Sequence, residues 1–271
     1  MRVKRSDIVQ NKYLLIGGIL TGLFILVALL GQIWTPYSVT QMDPLSTNLA
    51  PCLAHPMGTD NFGRDVLSRV MNGCGTTLWV ALATVLIGGI VGTAIGALTG
   101  YFGGWLDTVL MRICDIILSF PSVLLALLFI SLLGTGTDNM ILALGILFIP
   151  SFARIVRGEV MRCLELDFVR SAKVMGVRPL RLIFVHILPN TLVSLLTTAA
   201  IAFNNAVLAE ASMSYLGLGL QPPLPSLGRM LSEAQGYLLT APWYAIAPGV
   251  VIVLIILGFS MLSEGLRNWR P

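Results

Sequence analysis

Two histidines, four cysteines and 13 acidic residues are the side chains from which proton transfer, metal ligation or nucleophilic attack would be built in this chain. Hydrolysis within a membrane needs two aspartates on facing helices, a His-Glu-x-x-His turn, or a serine and a histidine at one depth. No such arrangement is present: Asp107 and Asp115 share one expected helix, and His55 and His186 fall in connections on opposite sides of the topology derived below. The cysteines form no Cys-x-x-Cys. Cys114 is expected at the membrane and Cys163 inside, so Cys52 and Cys74 are the one pair that topology permits, and free thiols are the expectation. No Gly-x-x-x-x-Gly-Lys-Ser/Thr phosphate loop occurs, so the chain is not expected to hydrolyse ATP. Despite 11 methionines, no His, Cys or Asp cluster with ligand spacing lies in an apolar stretch. No catalytic residue and no metal ligand is assigned.

The elements that must position the remaining polar residues follow from where charge is missing. Only 11% of the residues are charged, 56% are hydrophobic and mean hydropathy is +0.86, whereas soluble domains carry about 25% charged residues. The composition predicts an all-α membrane protein. Six transmembrane helices are expected, at roughly 14–34, 78–100, 106–133, 139–157, 190–213 and 245–263, each near the 20 residues or so that cross a bilayer. The fourth reaches that length only if Arg154 snorkels to the interface. Arg64, Arg69 and Arg229 stand in connections on one side; all other Lys and Arg, including Arg2, Lys4, Arg5, Lys12, Arg267 and Arg270, stand on the other. By the positive-inside rule both termini are cytoplasmic. Segment 14–34 is too long for a signal-peptide core and lacks a small-residue cleavage site, so it is kept as the first span. The net charge of +4 therefore argues topology rather than nucleic-acid binding.

Gly88, Gly92, Gly96 and Gly100 recur every four residues and predict close helix packing, a device that Gly18 and Gly22 repeat in the first span. Pro121, Pro150 and Pro248 are candidate kinks. The first outer connection, 35–77, reads His-Pro-Met-Gly-Thr-Asp-Asn-Phe-Gly-Arg-Asp-Val-Leu-Ser-Arg over 55–69. With Asp60 as N-cap and Asp65 paired to Arg69, it predicts a short outer amphipathic helix lying on the membrane surface. The second, 217–244, is proline-rich and predicts a helix near 227–238. The inner connection, 158–189, mixes four Arg and one Lys with apolar residues. It reads equally as a loop hugging the membrane and as a docking element for a cytoplasmic partner. Asp107 and Asp115, with Arg112 between them, are expected as an ion-paired helix entrance. Glu210, with Asn204 and Asn205 one turn below, is expected to line a translocation path.

The run Arg170, Ser171, Ala172, three residues, Gly176, nine residues, His186, Ile187, Leu188, Pro189 resembles the cytoplasmic EAA loop of ABC importer permeases. Arg170, Ser171 and His186 depart from its Glu, first Ala and Ile. The stretch 55–69, which contains Gly58, Asp60, Gly63, Arg64 and Asp65, is similar to the dipeptide, oligopeptide and nickel permease family, in particular its second, C-type subunit. So are Tyr101–Gly104, Phe120-Pro121, the run Ser214 to Gly219 with Gly217, then Pro222-Pro223, and Gly228-x-Met230-Leu231. The likeness runs from about residue 14 to Asn268. Where that family often has Glu-Trp after Pro225, this chain has Ser226-Leu227.

The resemblance implies a plasma-membrane subunit of a bacterial or archaeal importer. Its partners would be a homologous permease, two ATP-binding subunits that hold ATP and Mg, and an extracytoplasmic substrate-binding protein; no cofactor belongs to this chain. It implies a cytoplasmic coupling helix within 168–178, with Phe168, Arg170, Ser171, Ala172, Lys173, Gly176 and Arg178, followed by Leu188 and Pro189, docking an ATPase. The organisation is then a cytoplasmic segment 1–13, a first span and outer loop 14–77, a permease domain 78–267 and a tail 268–271. Short peptides are the favoured substrate, with nickel or a metal chelate as the alternative; a secondary transporter or a membrane enzyme is disfavoured.

Overall fold

The computed structural model describes residues 12–268. Arg2, Lys4, Arg5 and Arg270, used above for orientation, lie outside them. The described chain is helical, and an isolated bridge between Thr59 and Asp65 is its one trace of extended pairing. Among the described residues five helices are long and apolar enough to cross a membrane, six if one bent pair is counted as a span.

The first helix, α1, is Lys12–Ile33. It buries Gly17, Thr21, Phe24, Ala28 and Gly31, a three-four spacing that forms one seam. A Cβ on Gly17 would lie 2.4 Å from the backbone nitrogen of Leu262, whereas Gly18 and Gly22 face open space. The expected Gly18–Gly22 contact is thus replaced by one a residue away, because the seam repeats at three and four rather than strictly four.

Helix α2 is Val66–Phe102, 37 residues, capped by the Asp65 carboxylate on the Ser68 N–H. The separate surface helix expected after Asp60 does not form. Its apolar residues are the first turns of α2 instead, because Asp65 rather than Asp60 supplies the cap. Helix α3 is Gly104–Ser119 and α4 is Ser122–Leu133, bent by 96° from one another. The expected span 106–133 is therefore broken. Pro121 forces Phe120 into the extended region (φ −92°, ψ 145°) and brings no N–H of its own.

Helix α5, Thr137–Leu164, runs past the expected end of the fourth span and through Pro150 without a break. It can carry Arg154 and Arg157 because Asp115 and Asp107 of α3 face them, at 2.7 Å and, bidentately, at 2.5 and 2.6 Å. The aspartates are ion-paired as expected, but across to α5 rather than to Arg112. The short helix α6, Asp167–Val174, then leads through 179–191 into α7, Leu192–Tyr215. Helix α8 is Leu227–Ala234 and α9 is Pro242–Asn268, with Pro248 inside it.

The most extensive pairing is α2 on α5. Cβ atoms on Gly88, Gly92, Gly96 and Gly100 would fall 2.6 Å from Phe148 Cβ, 2.6 Å from the Ile149 carbonyl, 2.3 Å from the Ala153 carbonyl and 2.8 Å from the Arg157 carbonyl. The two helices run in the same direction, and their backbone-to-backbone approach is the close packing that the glycine repeat predicts. Three apolar clusters follow along the bundle. One joins α1, α2, α7, α8 and α9 with Phe152 of α5; a second joins α4, α5 and the loop-side end of α7 with Val80 of α2; a third sits under α6.

Candidate functional site

The bundle has a loop side, with 34–65 and 216–241, and a basic side, with 165–190. On the basic side, Val169 and Ala172 of α6 point inward, and Leu182, Ile183 and Ile187 join them against Ala97, Val156, Val160 and Cys163. Gly176 ends the helix at φ +75°: its N–H bonds the Lys173 carbonyl, and the Val177 N–H bonds the Ala172 carbonyl. This is a Schellman closure, which a glycine accommodates at little cost. Arg178, extended before Pro179, starts the return. Pro189, exposed in a tight turn at 188–191, and half-buried Leu188 pass the chain into α7.

What α6 leaves outside is equally regular. Phe168, Arg170, Ser171, Lys173, Val174, Met175 and Arg178 are exposed, Val174 by 89%. The Lys173 ammonium lies 5.2 Å from the centre of the Tyr101 ring. Arg170, Arg178 and Arg181 have no ion-pair partner among the described residues. Apolar and cationic groups thus share one free surface, held up by a buried underside.

On the loop side, the motif residues form a buried charge cluster. Asp60 takes N–H bonds from Phe62 (2.8 Å) and Arg64 (2.9 Å) on one oxygen and the guanidinium groups of Arg64 (2.6 Å) and Arg69 (3.1 Å) on the other. Both arginines continue to Glu233 of α8, at 2.9 and 3.0 Å, where Arg229 and the Tyr244 hydroxyl also donate. Arg69, 2% exposed, therefore pairs with Asp60 and Glu233 rather than with Asp65. Asp65 holds His55 at 2.9 Å and the Ser68 N–H and hydroxyl at 2.7 and 2.6 Å. Burial pushes the Glu233 carboxyl up, but Arg69, the Tyr244 hydroxyl, Arg64 and Arg229 outweigh it and hold it below the usual carboxylate range.

Glycines set the fit of this loop. Gly63 has φ +72°, and a Cβ there would lie 1.9 Å from the Asp43 carbonyl; Gly58, at φ +73°, abuts Leu49 and the Trp243 ring. Gly217 closes α7 as Gly176 closes α6, with its N–H on the Ser214 carbonyl and the Leu218 N–H on the Met213 carbonyl. Gly219 lies against Ser214, and Pro222 and Pro223 are exposed in the turn beyond.

The three candidate path residues separate. Glu210 is fully enclosed, accepting from Thr77 of α2 (2.9 Å) and Ser214 (2.7 Å), with the Ser226 hydroxyl also reaching it. It ties three elements together and lines no opening in this conformation. Ser226, at the departure from the family pattern, also caps α8 by accepting the Arg229 N–H at 3.2 Å. Asn204 is buried and donates to Ser260 at 2.8 Å. Asn205 is exposed and borders two cavities. One, of about 550 Å³, lies between the α3–α4 break, α5 and α7; the other, of about 360 Å³, lies between α7 and α9.

Sequence reasoning missed Glu233 and Tyr244, which complete the charge cluster, and Thr77, which meets Glu210. Glu233 had a signal. It is the one acidic residue in 217–244, on the side where Arg64, Arg69 and Arg229 need counter-ions. Among the described residues the cysteines are free, Cys52 exposed and Cys74 buried, and no group of three His, Cys, Asp or Glu could hold a metal.

Residues 92–269 match the family model described as binding-protein-dependent transport system inner membrane component. A dipeptide transport system permease protein of Alkalihalophilus pseudofirmus is 39% identical over 259 residues, covering 96% of this chain and 85% of that protein. A glutathione transport system permease protein of Pectobacterium atrosepticum is 38% identical over 252 residues, covering 91% and 84%. Among solved structures, a chain of the inward-facing MetNI methionine ABC transporter superposes with a TM-score of 0.60 at 20% identity, covering 75% of this chain and 97% of that one. At that identity the likeness carries the fold.

Proposed function

The chain belongs to the family of binding-protein-dependent transport system inner membrane components, and from that premise we propose that it is one transmembrane subunit of an ATP-driven importer of short peptides. The curated relatives that align over nearly its whole length are dipeptide and glutathione permeases, which favours peptide over nickel as cargo. The importer would be completed by a homologous permease, two ATPases that bind ATP and Mg, and an extracytoplasmic binding protein. The family's relatives are permease subunits rather than enzymes, in keeping with a chain that lacks a phosphate loop.

The observation that carries the reading is α6. A short helix with a buried underside and a free apolar and cationic upper surface, closed by Gly176, suits seating in an acidic-rimmed groove of an ATPase. In this reading the basic side is cytoplasmic and the loop side faces the binding protein. Closure of the ATPases on ATP would push on α6, and the two-permease bundle would switch its access. Phe168, Arg170, Ser171, Ala172, Lys173, Gly176, Arg178, Leu188 and Pro189 carry the docking. Gly58, Asp60, Gly63, Arg64, Asp65, Gly217, Gly219, Pro222 and Pro223 shape the surface presented to the binding protein.

The test is ATP-dependent uptake of a labelled dipeptide by the reconstituted complex. Uptake is expected to cease when the phosphate-loop lysine of the partner ATPases is replaced; uptake that survives that change overturns the reading.

A further inference from the structure

The geometry points to the 550 Å³ cavity between the α3–α4 break, α5 and α7 as the place where this chain touches cargo in transit, gripping a peptide by its backbone amides through Asn205, Ser151 and Ser122. The inference rests on the peptide-importer reading. The cavity's size is that of a small-molecule site, and its walls are apolar apart from a few hydroxyls and one amide. No ionisable side chain lines it.

Asn205 lies near the middle of α7 and Ser151 near the middle of α5, so both are at mid-depth of the bundle. Neither the Asn205 amide nor the Ser122 and Ser151 hydroxyls has a hydrogen-bond partner among the described residues. A free amide turned toward lipid would be unfavourable, which argues for a polar occupant. The broken span adds a second argument. Interrupted backbone at membrane depth is tolerated where it lines a wet cavity, and Phe120 and Ser122 on either side of the break both border this one.

A peptide bond offers one donor and one acceptor, and the Asn205 side chain supplies the complementary pair. Hydroxyls and an amide distinguish neither acidic nor basic cargo side chains, which suits a path that must pass peptides of varied sequence. Asn205 and Leu208 also border the second cavity, which contains Glu264 and Arg267. Asn205 therefore stands where an uncharged chamber meets a charged one.

The experiment measures uptake of dilysine and of diaspartate by the full complex with its binding protein in proteoliposomes, as a ratio within each variant. The ratio cancels differences in expression. Asn205→Asp places a carboxylate on the path and is expected to shift the ratio about five- to tenfold toward dilysine relative to wild type. Ser151→Asp, on the opposite wall, should shift it in the same direction. An unchanged ratio in both variants overturns the inference. So does loss of the complex on copurification in both, which would put this surface against the second permease. A wild-type complex that imports no peptide at all would instead sink the functional reading on which the inference rests.

Discussion

Glu233 accepts from four side chains, Arg64, Arg69, Arg229 and Tyr244, and so joins the 55–69 loop to α8 and α9. Replacing it with Ala leaves Arg69 buried with half its compensation, and a loss of about 3 kcal/mol is expected from breaking a pair in such surroundings. Thermal unfolding in detergent measures it. The same carboxyl gives a pH signature. Its folded pKa lies below the ordinary 4.5, so its contribution is present above that value and is lost as pH falls through the lower folded value. Melting temperature should therefore hold through neutral pH and fall more steeply in wild type than in Glu233→Gln once the medium is more acidic than about pH 4.5. Arg69 shows why this site was only half legible. The i,i+4 rule paired it with Asp65, but Asp65 caps the helix rather than belonging to it, and the partner that matters is 164 residues away.

At the scale of elements, glycine spacing was legible where it repeats and misleading where it does not. Gly96→Ile would place a branched side chain against the Ala153 carbonyl and is expected to abolish folded yield; Gly22→Ile meets open space and should leave it unchanged. Yield of monodisperse protein separates the two. A methyl group on Gly176 would meet nothing within 4 Å, so Gly176→Ala should cost only the left-handed backbone, about 1 kcal/mol, and lower ATP-coupled uptake while leaving the bundle folded. The spans themselves were readable because charge is absent from them. The break at Pro121 was visible only as a kink, since a proline's local effect is written in the sequence but the size of the turn, 96°, is not.

At the scale of the whole molecule, the separation of basic and loop sides predicts the orientation. A membrane-impermeant maleimide should label the exposed Cys52 on intact cells, whereas Val174→Cys, also at an exposed position in α6, should react only after permeabilisation. The opposite pattern would invert the topology. Sequence separated the two sides, and so set the directions of α2 and α5, because hydropathy and charge are one-dimensional properties; it could not pair α2 with α5, which requires knowing which backbones touch. That seam has a mechanical meaning. Helix α2 starts at the Asp65 cap beside the charge cluster, and α5 ends two residues before α6. Along their contact there are four positions with no side chain to rotate, compress or slip. Ordinary helix interfaces absorb a push by changing rotamers, as a sprung joint does. This one is closer to a welded strut, and a displacement applied at α6 should arrive at the loop cluster as the same displacement, undamped.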